Sequence, residues 1–134
     1  MSDERPQTAP PLVWWIIWIA ILNGLVLMRF FLGRELSPAA TDSVIGCIGV
    51  AEIAVSSFLR WWVLPKIQKP AAMFVVFIVG VAIAEGCGIF GIFLGGKYQD
   101  ELFVAGVLGI LQWAPIFARR FRRVPMASNP FLGI

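Results

Sequence analysis

Four apolar runs dominate this sequence, and each is long enough to cross a lipid bilayer as a helix. A helix needs about 20 mainly apolar residues to span the hydrocarbon, and the runs cover residues 12–32, 43–64, 71–94 and 102–118. Prolines lie near the ends of the runs. Pro115 is the exception, because it lies inside the fourth run, near its end, where a membrane helix tolerates a kink. Strands of a membrane barrel would be shorter and would alternate in polarity. We therefore predict an all-α, polytopic integral membrane protein with four transmembrane helices, antiparallel neighbours and short loops.

The composition also points to a bilayer as the solvent of the chain. The 134 residues are 59% hydrophobic and only 14% charged, whereas soluble domains carry about 25% charged residues. A soluble fold of this size would be too small to bury so much apolar surface. The spans and the loops between them form a predicted transmembrane domain, 12–118, which lies between an N-terminal segment, 1–11, and a basic C-terminal tail, 119–134. Because residues 1–11 are not basic and the first run exceeds the hydrophobic region of a signal peptide, we expect that run to remain as a span.

Few side chains of this sequence are suited to catalysis. The chain has no histidine, which removes the commonest general base and metal ligand. Cys47 and Cys87 lie inside apolar runs without the spacing of a metal or redox motif, so they are predicted to be small buried hydrophobic residues. The sequence also lacks a phosphate-binding loop and a nucleophile–base pair. We therefore predict a protein that is not an enzyme, with no catalytic residue, metal, cofactor or nucleic-acid partner.

The basic residues predict the orientation of the four spans. With four spans, both termini share one side of the membrane, and that side carries eight of the 11 lysines and arginines. The positive-inside rule then places both termini in the cytoplasm of a multi-pass protein, which we expect in the inner membrane of the cell. All six tryptophans fall toward the same interface. Four arginines of the tail are predicted to anchor the topology by touching anionic headgroups: Arg119, Arg120, Arg122 and Arg123.

The sequence contains an internal similarity between its two halves. Residues 19–33 align with residues 81–95 at six identical positions, and Asn23 falls on Glu85. The match predicts a tandem repeat of two helical hairpins, although identities in apolar sequence also arise by chance. If the repeat is real, the halves are parallel, and Asn23 and Glu85 are equivalent positions that face one centre.

Five polar side chains lie deep in the predicted spans: Asn23, Arg29, Glu52, Glu85 and Gln112. A charge near the centre of a bilayer costs at least about 2.5–3.5 kcal/mol on insertion scales. Glu85 must therefore be neutral, paired, or turned toward a wet cavity. One interpretation is that Glu85 is protonated, or bonded to Arg29 or Asn23, and holds helices together. The other is that it takes up and releases a proton or a cation.

Small residues and one polar stripe predict which helix faces lie inward. Gly49, Glu52, Ser56 and Arg60 recur every three or four residues and share one face of the second helix. Small residues form a ridge on the third helix that lets a neighbour approach closely: Gly80, Ala84, Gly88, Gly91 and Gly95. Pairs of small residues in the first and fourth helices predict similar packing: Ala20 with Gly24, and Ala105 with Gly109.

The segment AIAEGCGIFGIFLGG, residues 82–96, resembles the carboxylate helix of the proteolipid c subunit of rotary ATPases. In that family a mid-membrane glutamate follows an alanine and precedes small and aliphatic residues. The resemblance stops there, because Glu85 would lie on the first helix of its hairpin rather than the second, and the expected glycine-rich helix before it is missing. It implies only that a lone carboxylate beside small residues can bind protons.

The sequence leaves two functions open. The first is a structural or accessory membrane subunit whose polar residues serve packing. The second is an oligomeric proton- or cation-coupled transporter or channel that uses Glu85 and Glu52. The predicted partners are the lipid bilayer and either a second copy of the chain or a larger membrane complex.

Overall fold

The structure, a computed structural model, describes residues 10–32, 43–94 and 96–117 and contains four α-helices. Helix α1 is Pro11–Leu32, α2 is Ser43–Phe58, α3 is Pro70–Leu94 and α4 is Gln99–Leu111. Helix α2 continues through a π-helical turn, Leu59–Val63, and a short 3-10 turn, Leu64–Lys66; another 3-10 turn, Gly96–Tyr98, precedes α4. With these extensions, all four helical segments are long and apolar enough to cross a membrane. The prediction of an all-helical chain with four helices of this kind is confirmed.

The last helix differs most from its predicted range of 102–118. It begins at Gln99, and its first turn contains Asp100 and Glu101, whose negative charges interact favourably with the positive end of the helix dipole. Regular α geometry ends at Leu111 because Pro115 has no N–H to donate and disfavours helical geometry in the residue before it. The chain then makes tighter turns as far as Phe117. Residue 118 and the four arginines of the tail lie outside the described residues.

Helix α3 lies at the centre of the bundle. It packs most extensively against α4, and also against α2 and α1. Helix α1 packs on α3 and α4 rather than chiefly on α2, its neighbour in sequence. The expected order of antiparallel neighbours therefore fails for the first hairpin. Side chains from three helices and from the turn after α4 meet in the core: Trp14, Leu25, Phe77, Val81, Ile92, Ile110 and Trp113.

Glycines bring α3 and α4 into close contact. A Cβ atom on Gly106 would stand 2.6 Å from the backbone N and Cα atoms of Gly88, and one on Gly91 would stand 2.8 Å from the backbone N of Phe103. Gly109 approaches Ala84 in the same way, because a Cβ atom on Gly109 would stand 2.9 Å from the Cβ of Ala84. Since real Cβ atoms do not approach backbone atoms so closely, this pair of helices requires glycine at Gly106 and Gly91.

The small residues of α1 behave differently. Nothing lies within 4 Å of the position that a Cβ on Gly24 would take, and Ala20 is exposed. The predicted packing of this pair therefore does not occur among the described residues. Gly95, the last member of the predicted ridge on α3, lies outside them.

We predict that Gly106→Ala lowers the free energy of unfolding by about 1–3 kcal/mol, the usual cost of overpacking. The added methyl group would meet backbone atoms of Gly88, which cannot rotate away. Gly24→Ala is the matched control, because it places the same methyl group in open space and should be neutral or stabilising by up to about 1 kcal/mol. Unfolding in mixed micelles, followed by circular dichroism, measures both. Equal stability of the two variants would show that the α3–α4 contact is looser than described.

Candidate functional site

A buried hydrogen-bonded chain links three segments of the bundle through Ser56. The indole Nε1 of Trp113 donates to Ser56 Oγ at 2.8 Å, and Ser56 Oγ donates to the carbonyl oxygen of Gly80 at 2.8 Å. Ser56 and Trp113 are both fully buried. The indole ring lies where a side chain on Gly80 would otherwise stand. Ser56 therefore connects α2, α3 and the turn after α4 at a single point.

A second group of polar contacts surrounds the end of α4. Gln112 Nε2 donates to Ser57 Oγ at 3.1 Å, and Trp61 Nε1 donates to Gln112 Oε1 at 3.3 Å. The guanidinium of Arg60 lies over the rings of Trp113 and Phe117, 5.9 and 4.9 Å from their centroids. We call Ser56, Ser57, Arg60, Gln112 and Trp113 the polar cluster. The sequence predicts Gln112 as a polar side chain deep in the fourth span, and the structure shows it bonded to Ser57 of α2.

Side chains from other helices donate to two backbone carbonyls at the break in α4. Trp18 Nε1 donates to the carbonyl oxygen of Ile110 at 2.8 Å, and Arg60 Nε donates to that of Gln112 at 2.9 Å. The carbonyl of Ile110 also accepts the backbone N–H of Trp113, at 3.0 Å. Arg60 therefore provides the partner for the one of these two carbonyls that has no backbone donor among the described residues, and a backbone group without a partner is costly away from water.

Glu52 lies in the interface between α2 and α3. Its Oε1 atom is 3.4 Å from the position that a Cβ on Gly86 would take. Its Oε2 atom is buried and has no hydrogen-bond partner among the described residues. One turn away, Gly49 packs beside Cys87 and Leu102. Together with the contacts of Ser56 and Arg60, this confirms that the polar stripe of the second helix faces inward.

Glu85 is half-buried, and the structure separates it from both of its predicted partners. Arg29 forms an ion pair with Asp100 at the start of α4 and lies 5.7 Å from the ring centroid of Phe103. Asn23 Nδ2 donates to the carbonyl oxygen of Ile19 in its own helix, at 2.8 Å. The interpretation in which Glu85 is bonded to Arg29 or Asn23 is therefore wrong. Arg29 instead stabilises the contact between the end of α1 and the start of α4.

The two glutamates do not converge on one point. Successive residues of a helix project about 100° apart, so Gly86, which contacts Glu52, and Glu85 face different sides of α3. Within the described part of the chain, no hydrogen bond joins the two carboxyl groups. The arrangement therefore contains one carboxyl group between α2 and α3 and another at a separate edge of α3.

Three comparisons with known proteins give the chain no relative. No family model, no curated protein and no solved structure matches it significantly. The resemblance of residues 82–96 to the rotary ATPase c subunit accordingly stays a local one. The side chains themselves are therefore the basis for inferring a function.

We predict that Ser56→Ala lowers the free energy of unfolding by about 1–3 kcal/mol, because the buried N–H of Trp113 loses its acceptor. Ser57→Ala removes the same atom one residue away. It should cost no more than about 0.6 kcal/mol, the average for a membrane hydrogen bond, because Gln112 is only half-buried. Denaturant titration in micelles, with tryptophan fluorescence and circular dichroism as probes, compares the two. A larger loss for Ser57→Ala would contradict the central role of Ser56.

Proposed function

We propose that the protein is an integral membrane protein with four spans and that it acts as a structural or accessory membrane subunit. The four long apolar helices support the membrane placement. Large apolar side chains on the outer surface also support it, because lipid and other membrane helices are favourable surroundings for them. The distribution of lysine and arginine supports cytoplasmic termini.

The observation that carries this proposal is the use of buried polar side chains for contacts between helices. Ser56 and Trp113 bind each other and the backbone of α3, and Gln112 binds Ser57. Arg60 is held by a carbonyl oxygen and by aromatic rings. Such contacts fix helix positions. A bundle fixed in this way offers constant outer faces to lipid and to other membrane components.

The tandem hairpin repeat belongs to the same proposal as a hypothesis about origin. Its support is the alignment of residues 19–33 with residues 81–95. The aligned positions now have different surroundings, because Asn23 is exposed and Glu85 is half-buried. A duplication would therefore have diverged into a central helix, α3, and a peripheral one, α1.

A second candidate function, proton- or cation-coupled transport, is favoured by one observation. Glu52 places a buried carboxyl oxygen without a hydrogen-bond partner, among the described residues, against the backbone of Gly86. A carboxyl group in such a position satisfies its oxygen by binding a proton or a cation. Glu85 would be a second binding position along α3, reached from another side.

Flux measurements in liposomes separate the two functions. The subunit proposal predicts that the purified protein produces no pH-dependent ion flux above that of empty liposomes, and that Glu52→Gln and Glu85→Gln fold normally. The transport candidate predicts a flux that Glu52→Gln abolishes. Glu101→Gln is the control, since this exposed glutamate lies in the first turn of α4. A wild-type flux that survives in the control and disappears in Glu52→Gln would overturn the subunit proposal.

A further inference from the structure

Helix α1 is attached to the bundle by one side only. Trp14 and Leu25 are its buried residues, and Trp18 adds the hydrogen bond to Ile110. Within its most apolar window 11% of the residues are buried, compared with 39% for α3. One face of α1 therefore remains without a partner in the described part of the chain.

The free face has the spacing of a helix-pairing seam. Ile16, Ala20, Asn23 and Leu27 are separated by four, three and four residues, which is the heptad pattern of two helices in lengthwise contact. At about 100° per residue they fall within a sector of roughly 60°. All four are exposed, Ile16 by 56% and Leu27 by 55%. We call these four residues the α1 seam, and Trp14 and Leu25 lie on the opposite side of the helix.

Asn23 makes this face unsuited to lipid. It lies about 18 Å from the beginning of α1 and about 14 Å from its end, which is near the middle of a hydrocarbon layer about 30 Å thick. One of its amide N–H groups binds Ile19. Asn23 is exposed, and among the described residues this is its only hydrogen bond, so its second N–H group and its carbonyl oxygen Oδ1 have no partner there. Acyl chains cannot supply one, and an amide without partners in hydrocarbon costs several kcal/mol.

We infer that the α1 seam binds the same seam of a second copy of this chain, with the two Asn23 side chains hydrogen-bonded to each other. The inference depends on the membrane placement proposed above and does not depend on the role as a subunit. An asparagine amide is both donor and acceptor, so it pairs with its own copy across a two-fold axis. Copies inserted with the same topology hold their α1 helices parallel, which brings both Asn23 residues to the same depth.

The neighbouring residues fit this partner. Ala20 lies one turn from Asn23 and is small enough to let two helices approach closely, as small residues do in membrane helix pairs. Ile16 and Leu27 lie at the ends of the seam and would pack against their own copies. A single polar residue in an otherwise apolar seam also fixes the register of the pair.

A groove on another part of the described surface makes no such demand. An apolar groove of about 470 Å³ on α2 is lined by small and apolar residues and by Tyr98. Among its residues, Ala54 is exposed and matches Ala20 in size. Its lining contains no amide or carboxyl side chain that acyl chains would leave unpaired. The groove therefore gives the comparison surface for an experiment.

Energy transfer between labelled copies of the full chain in liposomes measures the association. We expect wild-type protein to form dimers, and Asn23→Leu to weaken dimerisation roughly five- to thirtyfold, which is the effect of about 1–2 kcal/mol of membrane hydrogen bonding. Ala20→Ile should weaken it as well, because the helices can no longer approach. Ala54→Ile should leave it unchanged. Circular dichroism of each variant checks that the monomer keeps its helices, as expected for exposed positions outside the core.

Disulfide formation tests the position of the contact. In a Cys47→Ser background, which retains the buried Cys87, Ala20→Cys should form a cross-linked dimer, whereas Ala54→Cys should not. The inference is overturned if the wild-type protein stays monomeric at every protein-to-lipid ratio, as it would if a different protein covers the seam. It is also overturned if Ala54→Cys cross-links in place of Ala20→Cys, or if Asn23→Leu dimerises as tightly as wild type. These outcomes are independent of ion flux, so they do not decide the proposed function.

Discussion

In the bilayer placement proposed above, hydrocarbon offers no hydrogen bonds, and the packing around Pro115 meets that constraint. The proline ends α4 early and leaves the carbonyl oxygen of Gln112 without a backbone donor among the described residues. Trp18 arrives from α1 and Arg60 from α2 to bind the carbonyls of Ile110 and Gln112. Donors from α1 and from the extension of α2 therefore meet at the end of α4, and the polar cluster lies beside it.

The central position of α3 follows from its small residues. Glycines let α4 approach until Gly106 and Gly88 meet backbone to backbone, and Gly80 leaves room for the ring of Trp113. The ring then reaches Ser56, which is held against the carbonyl of Gly80. Packing of small residues and hydrogen bonding between helices therefore support each other. An average membrane hydrogen bond contributes only about 0.6 kcal/mol, so the buried position that close packing gives to Ser56 is what makes this one stronger.

The sequence predicts the helices better than it predicts their neighbours. Apolar length identified all four long apolar helices, because a run of about 20 residues stands out whatever the packing. The buried face of each helix was harder to predict. A helix that is apolar on all sides has no periodic pattern of polar residues to show which side is buried. Glycine spacing did identify the tight face of α3, and polar spacing identified the inner face of α2. The sequence analysis missed the ion pair between Arg29 and Asp100. A signal for it was present, because the end of the first helix and the start of the fourth are expected on the same side of the bundle, and they carry opposite charges.

Glu52 and Asn23 each have an oxygen atom without a hydrogen-bond partner among the described residues, and the two groups differ chemically. The carboxyl group of Glu52 can become neutral by binding a proton, so it can remain inside a single chain at moderate cost. The amide of Asn23 has no such alternative. It is neutral at every relevant pH, and its carbonyl oxygen needs a donor that lipid does not contain. An unpaired carboxyl group is therefore a candidate for proton binding, whereas an exposed amide at the same depth is a candidate for contact with another chain.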